Sequence, residues 1–319
     1  MKVAITDYSF ADLSIETEIL TAAGHEVVAW KEKKTAAELP ALVADADAVI
    51  TQFAPVSAEV VNSMQKARVI VRYGIGVDNV SLDTAKAKGI PVCNVPDYCI
   101  DEVADHTLAF LLATTRQVVI NSNHVHAGKW GLATGLEQLK SLKQMTIGVV
   151  GFGRIGREVV SRLRAFKCRI LVHDPIATGA DIAAAGGESV SLSDLLTQCD
   201  AITLHCPSTS ETRGMLNSET LAMTRKGVIV INLARGDLVD PTALTKALQS
   251  GQVSAAALDV FHPEPIPADH PMLKLDNVIL AAHIASASVS AVKKLRETAA
   301  NLAVMALRGD RPPNIVNGL

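Results

Sequence analysis

Residues 146–166 read TIGVVGFGRIGREVVSRLRAF, and this stretch decides the fold. The apolar run Ile147–Val150 is followed at once by Gly151, Gly153 and Gly156, in the spacing G-x-G-x-x-G, and then by residues with helical periodicity. The run predicts a parallel strand covered on both faces, the pattern after it a helix, and the glycines the tight turn between them. Gly151 permits the turn, Gly153 lets the backbone approach a diphosphate, and Gly156 lets the helix pack closely on the sheet. The amides of Arg154 and Ile155 open the helix, where an anion is stabilised. The next apolar run ends in LVHDP. That places Asp174 about 20 residues on, where a carboxylate takes the ribose hydroxyls of a dinucleotide. A carboxylate there repels a 2′-phosphate, so the expected cofactor is NAD rather than NADP. The competing reading, a plain βα turn with a capping Asp, is weakened by the strand and helix on either side.

Outward from this turn the chain alternates strands and helices in both directions. Downstream, Arg169–Val172, Ala201–Leu204, Val228–Ile231, Ala255–Leu258 and Val278–Ala281 read as strands. Upstream, strands are expected at Lys2–Asp7, Glu26–Lys31, Ala48–Thr51 and Arg68–Arg72, with helices at Ser14–Ala23, Glu38–Ala44 and Ser57–Met64. Two βα series predict an α/β protein with two doubly wound parallel-sheet domains. Between them lies DEVADHTLAFLLATTRQ, a long helix opening on Asp101 and Glu102, with an irregular stretch expected from there to Trp130. This helix is read as the crossing into the second domain. After His283, Val289–Leu307 forms one amphipathic helix, and the tail RPPNIVNGL returns to the first domain. The first domain is thus discontinuous, residues 1–99 and 287–319, with the second, residues 100–286, inserted in it.

Bulk properties narrow the function classes. Of 319 residues, 49% are hydrophobic and 20% charged, and the 30 basic and 33 acidic side chains nearly cancel. That is the balance of a soluble globular protein. No basic run stands out and aromatics make up 3%, so neither nucleic acid nor an anionic membrane is expected as a partner. No apolar stretch reaches the roughly 20 residues that span a bilayer, and MKVAITD opens directly as a strand rather than a signal peptide. The 5 cysteines lack C-x-x-C spacing and read as reduced thiols, which suits the cytoplasm. No metal site is expected.

Three further motifs carry chemistry. NLARGDLVD sets Arg235 just past the strand Val228–Ile231, DVFHPEP sets Glu264 past Ala255–Leu258 between two prolines, and HIAS sets His283 past Val278–Ala281. Ligands of open α/β sheets bind outside the carboxyl ends of the strands, so the three side chains are expected in one crevice. A guanidinium offers the bidentate fork a carboxylate needs. An imidazole beside a carboxylate stays protonated to higher pH, which suits a general acid that protonates a carbonyl oxygen. Taken singly, an Arg paired with Asp237 or Asp240, a solvated Glu and a core His are adequate explanations. After three successive strands of a dinucleotide fold they are not.

On these residues the chain resembles the D-isomer-specific 2-hydroxyacid dehydrogenases, and the similarity runs over nearly its whole length. The resemblance implies a Rossmann NAD-binding domain inserted in a flavodoxin-like substrate domain. It implies that Arg235 orients a small 2-keto acid, that His283 is the acid/base and that Glu264 holds it. VRYGIGVDNV resembles the family's substrate loop, which implies that the amides of Tyr73, Gly74, Ile75 and Gly76 take the substrate carboxylate, with Phe53, Tyr73 and Trp130 shaping the pocket. On the cofactor side the resemblance implies Thr107 near a phosphate or the nicotinamide, Cys206, Pro207 and Thr212 along the adenine wall, and Asp259 at the carboxamide. It adds Leu233, Ala234, His283 and Ser286 as further cofactor contacts. It implies a homodimer built on the helix after Asp101, and cleft closure with hinges near Pro96–Ile100 and Ser286–Ser290. Two departures from the family pattern stand beside His283: Ala282 replaces the usual Pro, and Ser286 and Ser288 stand where a Thr is usual. The sequence has no long C-terminal extension of the regulatory type, so feedback by serine is not expected. Two rival readings share the fold: an NAD-gated binding module like the C-terminal-binding-protein corepressors, and a formate or phosphite dehydrogenase. The particular 2-hydroxy acid is not legible.

Overall fold

The computed structural model describes residues 1–32 and 34–319. They divide into two compact units, Met1–Tyr98 with Ser288–Leu319, and Cys99–Ala287.

The first unit runs β1 (Lys2–Ile5), α1 (Ser14–Ala22), β2 (Glu26–Ala29), α2 (Leu39–Val43), β3 (Ala48–Thr51), α3 (Ala58–Ser63), β4 (Ile70–Arg72), α4 (Leu82–Ala87) and β5 (Val92–Cys93), and is completed by the C-terminal helix Val289–Arg308. The strands form one parallel sheet in the order β2-β1-β3-β4-β5, with Val3 opposite both Val27 and Ala48. The two-residue period of a strand divides its side chains between two cores. Val3, Ile5, Ile50 and Val71 pack with Leu20 of α1 and with Leu295 and Leu302 of the C-terminal helix. Ala4, Val49, Ile70 and Val92 pack on the other face with Leu39, Val43, Val60 and Ala85. Because both faces are covered, the strands read as continuous apolar runs. The tail returns to this sheet: Ile315 bridges Cys93 in antiparallel fashion and the Val316 amide donates to the Val92 carbonyl at 2.8 Å.

Strand order reverses at β1 and β3, and the carboxyl ends there carry buried polar side chains. β1 stops at Ile5 instead of running to Asp7, because the Asp7 carboxylate turns to the chain leaving β3. It accepts from the amides of Gln52 at 3.0 Å and Phe53 at 2.6 Å. α4 and the two-residue β5 were not expected from the sequence. LDTAKA is too short for its periodicity to stand out, and VC carries no pattern of its own.

The second unit opens with α5 (Ile100–Thr115) and α6 (Val118–His126), then alternates β6 (Thr146–Val150), α7 (Arg154–Leu163), β7 (Arg169–His173), α8 (Gly179–Ala184), β8 (Glu188–Ser189), α9 (Leu192–Gln198), β9 (Ala201–Leu204), α10 (Ser218–Met223), β10 (Val228–Asn232), α11 (Pro241–Ser250), β11 (Val253–Leu258) and β12 (Val278–Leu280). Its parallel sheet has the order β12-β11-β10-β9-β6-β7-β8, so the reversal lies between β6 and β9. The stretch after α5, expected to be irregular, is helical as far as His126. What separates the two helices is Gln117, whose φ of 52° breaks the path. α5 is clamped to α7 through Arg162, which donates to Asp101, Asp105 and Glu158. No helix among the described residues is long and apolar enough to cross a membrane.

Candidate active site

The glycine turn is built as its three positions demand. Gly151 has φ +97°, and a Cβ there would lie 2.6 Å from the Cys206 nitrogen and the His205 carbonyl carbon. A Cβ on Gly156 would lie 2.0 Å from the Gly151 carbonyl oxygen, so α7 sits directly on the turn. Gly153 is different. Its φ of −71° suits any residue, and nothing lies within 4 Å of an added Cβ. The chain's own packing gives no reason for glycine at 153, whereas a group pressed against the turn from outside does. Gly153 is also the N-cap of α7 and has no side chain to satisfy the first amides of the helix. Those open amides and the bare face of Gly153 fit a dinucleotide diphosphate.

Asp174, just beyond β7, ties this turn down. One carboxylate oxygen accepts from the Phe152 amide at 2.6 Å, and the other from the amides of Ile176 and Ala177 at 2.8 Å each. Burial alone would raise its pKa, but the three amides outweigh it and hold the carboxyl below its ordinary range. Three of roughly four acceptor positions are thus taken, and one remains for a ribose hydroxyl.

Opposite the turn, β9 leads into His205 and Cys206. Burial lowers the His205 pKa to about 4, and its Nε2 pairs with the Thr203 hydroxyl at 2.9 Å, so this ring is neutral at pH 7. Burial raises the Cys206 thiol to about 11, leaving it an uncharged wall beside Met215, whose sulfur lies 3.7 Å away. Thr212 stitches its own loop, its hydroxyl donating to the Pro207 carbonyl at 2.7 Å and accepting from the Thr209 amide at 2.8 Å. The Thr107 hydroxyl donates one turn back to the Val103 carbonyl at 2.7 Å, inside α5.

The three chemistry-bearing loops follow β10, β11 and β12. Asn232, which ends β10, is buried and holds the first: its amide group donates to the Arg235 carbonyl at 2.7 Å and accepts from the Ala234 nitrogen at 3.0 Å. Leu233 of this loop is buried and Ala234 half-buried. A Cβ on Gly236 would fall 2.0 Å from Phe261, so the Arg235 loop and the Glu264 loop touch backbone to backbone. The Glu264 carboxylate accepts from the Phe261 amide at 3.2 Å and lies 2.9 Å from Nδ1 of His283. The peptide bonds before Pro263 and Pro265 are cis.

His283 has φ 54°, a conformation that costs free energy in a non-glycine residue and persists only where its surroundings impose it. Asp259 imposes it. This side chain is 1% exposed, and its two oxygens accept from the amides of Ile284 and Ala285, both at 2.8 Å. Its backbone also binds on both sides, the carbonyl accepting from the His283 amide at 2.8 Å and the nitrogen donating to the Asn232 carbonyl at 3.0 Å. Asp259 therefore anchors the His283 loop, a role sequence reasoning missed. Ser286 lies half-buried in the turn closed by the Ala287 amide on the Ile284 carbonyl.

In the first unit the expectation for Tyr73 is corrected. Its ring is 1% exposed, its hydroxyl donates to Glu16 at 3.0 Å, and it meets Phe10 edge-on. It is a core residue. Its amide donates to the Thr51 carbonyl and that of Gly74 to the Arg72 carbonyl, so two of the four amides expected to bind substrate are engaged within the chain. Phe53 stands half-buried with the Arg72 guanidinium 5.8 Å above its ring. Trp130 is 93% exposed and packs into no pocket of its own unit.

An uncapped glycine turn, an Asp after the next strand and a strand order reversing beside that turn define a dinucleotide-binding α/β domain of the Rossmann class. The model for the D-isomer specific 2-hydroxyacid dehydrogenase NAD-binding domain matches residues 108–285, and the chain belongs to that family. It is 38% identical over 297 residues to a glyoxylate reductase of Korarchaeum cryptofilum, covering 92% of this chain and 90% of the relative. It is also 38% identical over 302 residues to D-3-phosphoglycerate dehydrogenase of Mycobacterium leprae, covering 93% of this chain but only 56% of that longer protein. Among solved structures, D-lactate dehydrogenase from Aquifex aeolicus, complexed with NAD and lactic acid, superposes with a TM-score of 0.87 at 28% identity, over 97% of this chain and 96% of that one.

Proposed function

We propose that this protein is an NAD-dependent oxidoreductase acting on a small D-2-hydroxy acid and the corresponding 2-keto acid, with His283 as the acid/base, Glu264 as its partner and Arg235 as the carboxylate fork. The observation that carries this reading is the His283–Glu264 pair at 2.9 Å, held in a loop where His283 has φ 54°. NAD, when bound, accepts or supplies the hydride at the substrate's C2. The rest falls to this chain. Glu264 accepts a hydrogen bond from Nδ1–H and so fixes the tautomer and the tilt of the ring, leaving Nε2 to move a proton at the substrate oxygen. Arg235 offers two parallel donors to the carboxylate and sets which face of C2 is presented. Asp174 and the α7 amides hold the ribose and diphosphate; Leu233, Ala234, Cys206, Pro207 and Thr212 are assigned as the cofactor's apolar surroundings. The amides of Ile75 and Gly76 are assigned to the substrate carboxylate.

The proposal includes a homodimer, supported by large apolar side chains exposed on and after α6: Val118, Val119, Val125, Leu132 and Leu136. It also includes a cytoplasmic location.

Initial rates with NADH and glyoxylate, pyruvate, hydroxypyruvate and phenylpyruvate test the function. His283→Ala should lower reduction of the best substrate by about 100-fold or more, the scale of a lost general acid. NADH affinity should change little beside this loss. Near-normal turnover by the variant would remove His283 from the mechanism. A wild type that binds NADH but reduces none of the panel would favour the binding-module reading.

A further inference from the structure

The loop after β4 is shaped from one side. The Gly74 carbonyl accepts from the Val95 amide at 3.0 Å, and the Ile75 carbonyl accepts from the side-chain amide of Asn94 at 2.7 Å. Both peptide bonds are trans, since the cis bonds are those at Pro263 and Pro265. In a trans peptide the N–H points away from the C=O. With both carbonyls drawn toward the chain leaving β5, the N–H groups of Ile75 and Gly76 point together to the opposite side. Neither donates to an acceptor among the described residues, and both residues are half-exposed. Two successive amides aimed one way make an anion-binding concavity.

Of the two contacts that impose this, the Val95 amide is backbone and would be present whatever the side chain. Asn94 is the part written in the sequence. It is 8% exposed, and its own nitrogen is tied to the Asn314 carbonyl of the C-terminal tail. A buried side-chain amide that donates to a single loop carbonyl fixes the orientation of that one peptide.

We propose that Asn94 is a positioning residue for substrate: it fixes the peptide between Ile75 and Gly76 so that the two amides are aimed before a carboxylate arrives. The proposal rests on the reading of the substrate as a 2-keto acid. It assigns Asn94 no contact with the substrate.

The test is Asn94→Asp, isosteric but unable to donate while ionised. At pH 7.5 the KM for the best keto acid should rise about tenfold or more, with kcat within about threefold and NADH affinity unchanged, because pre-aimed donors are lost and no reacting group is touched. As pH falls the Asp regains a proton to donate, so the KM of the variant should approach that of the wild type. A purely structural role would lower the unfolding midpoint without this pH-dependent KM. Asn94→Ser, which keeps a donor on a shorter side chain, guards against an Asp variant that fails to fold and should show a smaller rise. Wild-type KM in Asn94→Asp across the pH range would overturn the proposal. Oxamate titrated into the NADH complex, followed by nucleotide fluorescence, separates the two readings. Oxamate binding weakened by Asn94→Asp supports the positioning role even if no keto acid is turned over, and unweakened binding overturns it.

Discussion

Alanine placed at each glycine of the turn should give three different outcomes from one change of chemistry. At Gly151 the side chain meets a φ of +97° and backbone atoms of His205 and Cys206 at 2.6 Å. The left-handed conformation costs about 1–2 kcal/mol, and the clash adds a similar amount, so Gly151→Ala should lose about 2–4 kcal/mol. At Gly156 alanine gains about 1 kcal/mol of helix propensity, but its Cβ lies 2.0 Å from the Gly151 carbonyl oxygen. A clash of 2.0 Å with backbone lies in the upper part of the overpacking range, about 2–3 kcal/mol, for a net loss of about 1–2 kcal/mol. At Gly153 there is neither strain nor clash. A gain of about 0.4–1 kcal/mol from the unfolded chain opposes the poorer capping of alanine, about 0.5–1 kcal/mol, so stability without nucleotide should stay within about 1 kcal/mol of wild type. The same variant should bind NADH about tenfold or more weakly, because even one lost charge-assisted hydrogen bond of about 1.5–3 kcal/mol has that effect. Urea unfolding without nucleotide and fluorescence titration with NADH measure both quantities on one preparation. Wild-type NADH affinity in Gly153→Ala, or wild-type stability in Gly156→Ala, would refute the assignment of these positions.

The remaining predictions concern two carboxylates. Three amides depress the Asp174 pKa in the folded state, so its contribution to stability is complete above the ordinary value of 3.8 and is lost as pH falls through the folded value. The stability gap between wild type and Asp174→Asn should therefore be widest near neutral pH and shrink below about pH 4 in urea titrations; a gap that widens on acidification would show that the amides do not favour the ionised form. Glu16 is 0% exposed and accepts three hydrogen bonds from Arg296, the shortest 2.6 Å. Arg296→Met strands that carboxylate and should cost roughly 3–5 kcal/mol in urea unfolding, most of it recovered in Glu16→Leu/Arg296→Met; a double variant no more stable than the single one would mean the cost is lost packing on Phe10.

Most of the fold was legible because parallel strands covered on both faces must be apolar throughout, and runs such as VIVI and VAIT fit that pattern. What the pattern could not carry was short or marked by a single residue. VC at β5 is two residues long, and α6 is set apart from α5 only by the backbone of Gln117. In the candidate site, Arg235, Glu264 and His283 were legible by their places after strand ends, and Glu264 and His283 do lie 2.9 Å apart. Their supports were harder to read, because a buried Asn or Asp that accepts from backbone looks the same in sequence as one on a loop surface. Tyr73 misled for a related reason. It stands next to the glycines of its loop, but it is the last residue of β4's alternation, and alternation turns its ring inward to Glu16 and Phe10.

The supports also join the three loops to one another. Asn232 closes the Arg235 loop, and its own carbonyl takes the Asp259 amide. Asp259 takes the amides of residues 284 and 285, and its carbonyl takes that of His283. Each loop is thus fastened to the strand end beside it, β10 to β11 and β11 to β12, by buried groups that leave little slack. The strain at His283 is possible only at the end of such a chain, since a free loop would relax a φ of 54°. The departures from the family pattern at Ala282 and Ser286 fall on this same loop, yet among the described residues neither side chain makes a hydrogen bond that holds it. Asp259 does, through backbone amides that any side chain at 284 and 285 would present. The geometry of His283 is therefore insulated from those two substitutions, and the catalytic reading does not depend on the missing Pro.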